Sequence, residues 1–219
     1  MEEEGAAPPQ VEEEGAAPPH EPSAGRRRAA AALGVLCVVL ALGGLGFLAY
    51  PTWTDLRAAR TQDRLEEAFG TEEVERDVAQ GTVAVGSPLT RIRIPRLGVD
   101  ALVVEGVTLK ALRAGAGHYP ETPLPGQPGN VSLAGHRTTF GAPFSNIDRL
   151  VPGDEIVLET PVGRYSYEVS ARPWVTDPGD WRVVGPLEGS VLTLTTCEPK
   201  GSDDRRLVVR ARLAESVPV

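Results

Sequence analysis

From Ala29 to Tyr50 the chain runs for 22 residues without a charged side chain, and no other stretch limits its possible structures so strongly. A helix of that length, rising about 1.5 Å per residue, is long enough to cross a hydrocarbon core of roughly 30 Å. Arg26, Arg27 and Arg28 flank it on the N-terminal side, which places that side in the cytoplasm by the excess of positive charge on cytosolic flanks. Everything after Pro51 is then expected outside the cell, on a single-pass membrane protein. A cleaved signal peptide is the other reading, kept open by the Ala-rich flanks; against it, the apolar run is longer than a usual signal core and follows a long tail.

The membrane span divides the composition. Residues 1–28 hold two copies of EEEGAAPP, at Glu2 to Pro9 and Glu12 to Pro19, with seven acids and three bases. Such a stretch has too little apolar surface to offset its ordering entropy, so a disordered cytoplasmic tail is expected. Residues 51–81 carry eight acids and four bases, and Leu56, Arg60, Leu65 and Phe69 form a weak helical stripe. This segment reads as a helical stalk that Gly70 ends or interrupts, with Trp53 at the membrane interface. Residues 82–219 hold fifteen acids and fifteen bases, so the net charge of −8 belongs to the tail and stalk. A neutral globular part has no basic face for a nucleic acid.

Beyond Thr82, short apolar alternations are separated by Gly and Pro. Strands are expected over 89–94, 99–104, 130–134, 155–159, 163–175, 191–196 and 206–213, with a short helix over 108–114 capped by Thr108 and a helical turn within 144–150. Many short strands and little helix imply an all-β barrel or sandwich.

One strand ends on a cysteine. In Val191 to Pro199, VLTLTTCEP, period two puts Val191, Thr193, Thr195 and Cys197 on one face and Leu192, Leu194 and Thr196 on the other. The thiol then lies on the more polar, accessible face. Cys37 falls inside the apolar run, so Cys197 has no partner for a disulfide, and one unpaired cysteine outside the membrane suggests a working thiol. His20 lies in the tail and His118 in a loop before Tyr119-Pro120, whereas His136 ends the run NVSLAGH. The same parity places Asn130, Ser132, Ala134 and His136 together, opposite Val131 and Leu133. On the last strand Leu207, Val209, Ala211 and Leu213 turn inward, leaving Arg206 to share the face of the thiol if the strands are neighbours. Arg210 and Arg212 read as a solvated strand face.

A thiol, an imidazole and a guanidinium at three strand ends form a set suited to acyl transfer. The attacking species is the thiolate, which a nearby cation stabilises; the imidazole can protonate a leaving amine, and arginine suits an oxygen on which negative charge develops. With LAGH ending at His136, TLTTC ending at Cys197 and RLVV beginning at Arg206, the chain resembles the sortases, membrane-anchored cysteine transpeptidases of Gram-positive bacteria. The resemblance covers about Pro88 to Leu213, and the HYP, LPG, GN and AGHRTTFGAPF segments are most similar to class E of the actinobacteria.

That resemblance implies a closed β-barrel of about eight strands. It carries the catalytic roles onto Cys197, His136 and Arg206, and substrate-groove positions onto Ala134, Thr193 and Thr195. Tyr119 matches the tyrosine that class E associates with a sorting signal of the LAxTG rather than the LPxTG type. The implied partners are secreted proteins bearing such a signal and the peptide amine of a cell-wall precursor, lipid II. Some members use calcium, but no ligand set for a metal is apparent here and no cofactor is implied. Trp181, in the segment 177–189, either caps the apolar part of the signal or packs its own loop. Two other classes remain: an L,D-transpeptidase, whose cysteine is expected in an S-x-G-C setting rather than T-T-C-E, and a non-enzymatic anchored binding module.

Overall fold

The computed structural model describes residues 24–218; all but the last residues of the expected tail lie outside the described residues. The chain divides after Phe47. The first part is the beginning of α1 (Ala24–Phe69), where Leu33, Val35, Leu36, Val38, Val39 and Leu40 are all exposed. Among the described residues α1 is the one helix long and apolar enough to cross a membrane.

The second part is built on nine strands: β1 (Pro88–Ile94), β2 (Val99–Glu105), β3 (Ala116–His118), β4 (Gly129–Gly135), β5 (Glu155–Thr160), β6 (Gly163–Val169), β7 (Trp174–Thr176), β8 (Ser190–Glu198) and β9 (Arg205–Pro218). Eight follow the order β6-β5-β1-β2-β3-β4-β8-β9, and β9 pairs back onto β6 to close a barrel, while β7 pairs with β9 alone. All neighbours are antiparallel except β2 with β3 and β4 with β8. The single strand expected over 163–175 is two strands. Ser170 to Pro173 interrupt it, since proline has no amide donor, yet both pieces stay on β9, with Val169 opposite Ala211 and Trp174 opposite Val208.

Alternating apolar residues fill the interior: Ile92 and Ile94, Val131 and Leu133, Ile156 and Leu158, Leu192 and Leu194, Val209 and Ala211 all belong to one cluster, joined by Phe144 and Tyr167. Burial raises the Tyr167 phenol to about 12. The expected short helix is α3 (Leu109–Leu112), with the Thr108 hydroxyl accepting from Ala111 N–H at 3.2 Å. The turn expected within 144–150 is a single 3₁₀ turn at Ile147–Arg149.

Residues 51–81 do not stand free as a stalk. α1 packs on the barrel through Ala58 and Leu65, with Phe69 beside them, so the stripe differs from the expected one; Leu56 is exposed. Gln62 adds a polar clamp. Its amide donates to the carbonyls of Leu102 and Ala114 at 3.1 and 2.7 Å and accepts from Leu102 N–H at 2.7 Å. α2 (Glu72–Gln80) follows, capped by Thr71 and ended by Gly81 at φ 70, and buries Val74 and Val78 against Leu89.

Candidate active site

Parallel pairing of β4 and β8 sets Ala134 opposite Thr195. Two residues further along each strand come His136 and Cys197, both lining one open cleft of about 230 Å³ with Arg137, Thr138, Gly201, Ser202 and Asp203. On the other side of β8, Cys197 is in register with Arg206 of β9, and directly opposed residues project to the same face. The Arg206 guanidinium donates to the carbonyls of Asp203 and Arg205 at 2.9 and 3.0 Å. Cys197 and His136 thus share the cleft, whereas Arg206 lies in register beside Cys197 with its guanidinium turned to the loop carbonyls and is not among the residues lining the cleft.

Local sequence explains the turn after β4. A Cβ on Gly135 would lie 2.6 Å from the Phe144 ring, which is fully buried, so glycine is required where the chain leaves the barrel wall. His136 follows at once. Its ring is tilted 36° on Phe140 with centroids 5.2 Å apart, and its Nε2 is buried without a hydrogen-bond partner among the described residues. Burial pushes the imidazole below its ordinary pKa, and the positive charge of Arg113 adds to this. Both effects favour the neutral ring.

The outer face of β8 is not open as parity suggested. Thr193 and Thr195 are buried with 0% and 3% exposure. Thr193 donates to Asn130 Oδ1 at 2.6 Å, and the Asn130 amide donates to the carbonyls of Val183 and Gly185 at 3.0 and 2.9 Å, so the 177–189 segment seals Thr193. Thr195 donates to the Leu133 carbonyl, which leaves its oxygen to accept from the Tyr119 hydroxyl at 3.3 Å. Tyr119, Ala134 and Thr195 thus form one group beside the cleft, and Thr193 lies beneath a cover. Period two identifies a face but says nothing about what lies over it.

Two arginines also depart from expectation. Arg210 is half-buried, bonds the Val183 carbonyl at 3.0 Å and lies 5.1 Å above the Trp174 ring; burial, with Arg212 adding, lowers its pKa. Arg137, which sequence reasoning passed over, is 7% exposed and donates to the Cys197 carbonyl at 3.1 Å. It also pairs with Glu198 and, at 3.3 Å, with Asp148. The available signal was positional: an arginine follows the histidine and a glutamate follows the cysteine on adjacent parallel strands. In the covering segment, hydrogen bonds from Arg182 and Thr176 hold the Asp180 carboxyl at about 2. Trp181 beside it is 69% exposed, so it does not pack its own loop.

A sortase-domain model matches residues 92–214. The chain belongs to the sortase family. It is similar to sortase SrtE2 of Streptomyces coelicolor, with 33% identity over 89% of this chain and 88% of that protein. Sortase SrtE1 of the same organism is 31% identical over 87% of this chain and 58% of that relative, so the chain spans less than two thirds of it. Among solved structures, sortase E from Streptomyces avermitilis matches with a TM-score of 0.58 and 40% identity, covering 62% of this chain and 93% of its own. These likenesses make it a class E-like sortase, and they set aside the L,D-transpeptidase and binding-module readings.

Proposed function

We propose that this sortase is a membrane-anchored cysteine transpeptidase, with its N-terminus cytoplasmic and its barrel outside, and that Cys197 cleaves a LAxTG- or LPxTG-type sorting signal between Thr and Gly. What carries the reading is the convergence of Cys197 and His136 on one open cleft, with Arg206 in register beside the thiol. As the sulfur attacks the threonine carbonyl, neutral His136 takes the thiol proton. It returns that proton to the glycine nitrogen as the C–N bond breaks, leaving a thioester on Cys197. The peptide amine of lipid II then attacks the thioester, gives its proton to His136 and releases the thiolate, which recovers the proton.

Arg206 supplies positive charge at the thiol face, where the tetrahedral oxygen or the signal backbone lies. Tyr119, Ala134 and Thr195 line the approach, Thr193 supports them from beneath, and exposed Trp181 offers an apolar surface for the signal's leucine. No cofactor enters this scheme. Incubating the protein with labelled LAxTG or LPxTG peptide and an amine nucleophile tests it directly. Cleavage with transfer to the amine, and a trapped thioester on Cys197, are the expected results; an intact peptide in both cases overturns the reading.

A further inference from the structure

The helix preceding the barrel touches the loop that carries His136. Asp55 of α1 accepts a hydrogen bond from Gly141 N–H at 2.9 Å. A Cβ on Gly141 would lie 3.8 Å from the Ala58 methyl, at van der Waals distance from the helix surface. Phe140, Gly141 and Ala142 have φ of 54°, 75° and 39°. Glycine adopts this left-handed geometry freely, but the other two residues do so at a cost that persists only where the surroundings over-determine it.

Several contacts supply that determination, among them the Ala142 N–H to the Thr139 carbonyl at 3.0 Å and the Phe144 N–H to the His136 carbonyl at 3.3 Å. On the C-terminal side Phe144 is locked in the barrel core; on the helix side Asp55 caps the middle of the left-handed turn. A cavity of about 650 Å³ opens beside this cap, lined by Asp55, Ala58, Gln62, Phe140 and Gly141 among others, so close packing does not clamp the loop there. Phe140, the first residue of the turn, is the ring on which His136 rests. A loosened turn therefore acts on the ring that supports the imidazole, while the His136 carbonyl stays bonded to the Phe144 N–H.

We propose that Asp55 is a positioning residue: by capping Gly141 it fixes Phe140 and, through it, the His136 ring, making the helix before the barrel part of the catalytic unit. This rests on the reading of His136 as the proton-transfer group. The test uses the full chain in detergent micelles, with labelled LAxTG peptide and an amine nucleophile. Asp55→Ala lowers kcat about three- to tenfold, the range for one lost positioning hydrogen bond, while KM stays within about twofold. Asp55→Asn keeps a side-chain oxygen acceptor and restores kcat. Gln62→Ala removes the helix's bonds to Leu102 and Ala114 but spares Gly141, so it lowers Tm and leaves kcat at the wild-type level. Unchanged kcat in Asp55→Ala, failed rescue by Asp55→Asn, or equal kcat losses in Asp55→Ala and Gln62→Ala would each overturn the proposal. His136→Ala serves as the separate control: if it retains turnover, the reading of the site fails whatever the Asp55 series shows.

Discussion

His118 and His136 stand at the ends of adjacent strands, β3 and β4, and the protein treats them in opposite ways. His118 is 1% exposed, with Nδ1 on Glu105 at 2.8 Å and Nε2 on the Pro123 carbonyl and the Thr122 hydroxyl, each at 3.0 Å. A carbonyl only accepts, so Nε2 carries a proton and the ring is fixed from both sides. His136 is half-buried, its Nε2 has no partner among the described residues, and it borders an open cleft. A ring with both nitrogens committed holds structure together, whereas a desolvated nitrogen with no partner is available for chemistry.

Substitution should separate the two rings. Cys197→Ala and His136→Ala are expected to reduce transpeptidation by about 10³-fold or more with little change in Tm, because neither removes a satisfied buried interaction. His118→Ala gives the opposite signature. It strands Glu105 and should cost about 3–5 kcal/mol in denaturant unfolding, while molecules still folded retain most of their kcat. Full stability in that variant would remove the contrast.

Arg137 crosses the division, since it is buried like His118 yet bonded to the carbonyl of Cys197. Arg137→Met is expected to lose both stability, by about 2–4 kcal/mol, and kcat, by about ten- to a hundredfold. Tyr119→Phe removes only the hydroxyl resting on Thr195, and should alter the kcat/KM ratio between LAxTG and LPxTG peptides by about three- to tenfold.

The smallest effect sharpens the description of His136 itself. Because folding lowers its pKa, the unfolded chain binds the extra proton first. Its contribution to stability therefore declines as pH falls from the ordinary histidine value of about 6.5 toward the lower folded value. Arg113→Ala removes a repelling charge, so NMR titration of the ring should show its pKa rising, and that decline should shrink.

How much of this could be read in advance depended on what each residue reports. Apolar residues at every second position mark β1, β2, β5, β8 and β9, because one face of each fills the interior. β3 escaped notice: Ala116-Gly117-His118 has no β-branched residue, and its parallel pairing with β2 is a tertiary fact. Cys197, His136 and Arg206 stand out as candidates from residue type and order along the chain. Arg137 does not, since its burial depends on acids from two other segments, and His118 reads as a loop residue in the sequence because Glu105 lies thirteen positions away.

β9 closes the wall against β6 and, at its other end, brings Arg206 alongside Cys197. Closure of the wall and the placing of a guanidinium beside the thiol therefore rest on one strand, whose pairing with β6 joins residues far apart in sequence. A change that weakens the pairing of β9 therefore reaches the seam of the wall and the candidate site together.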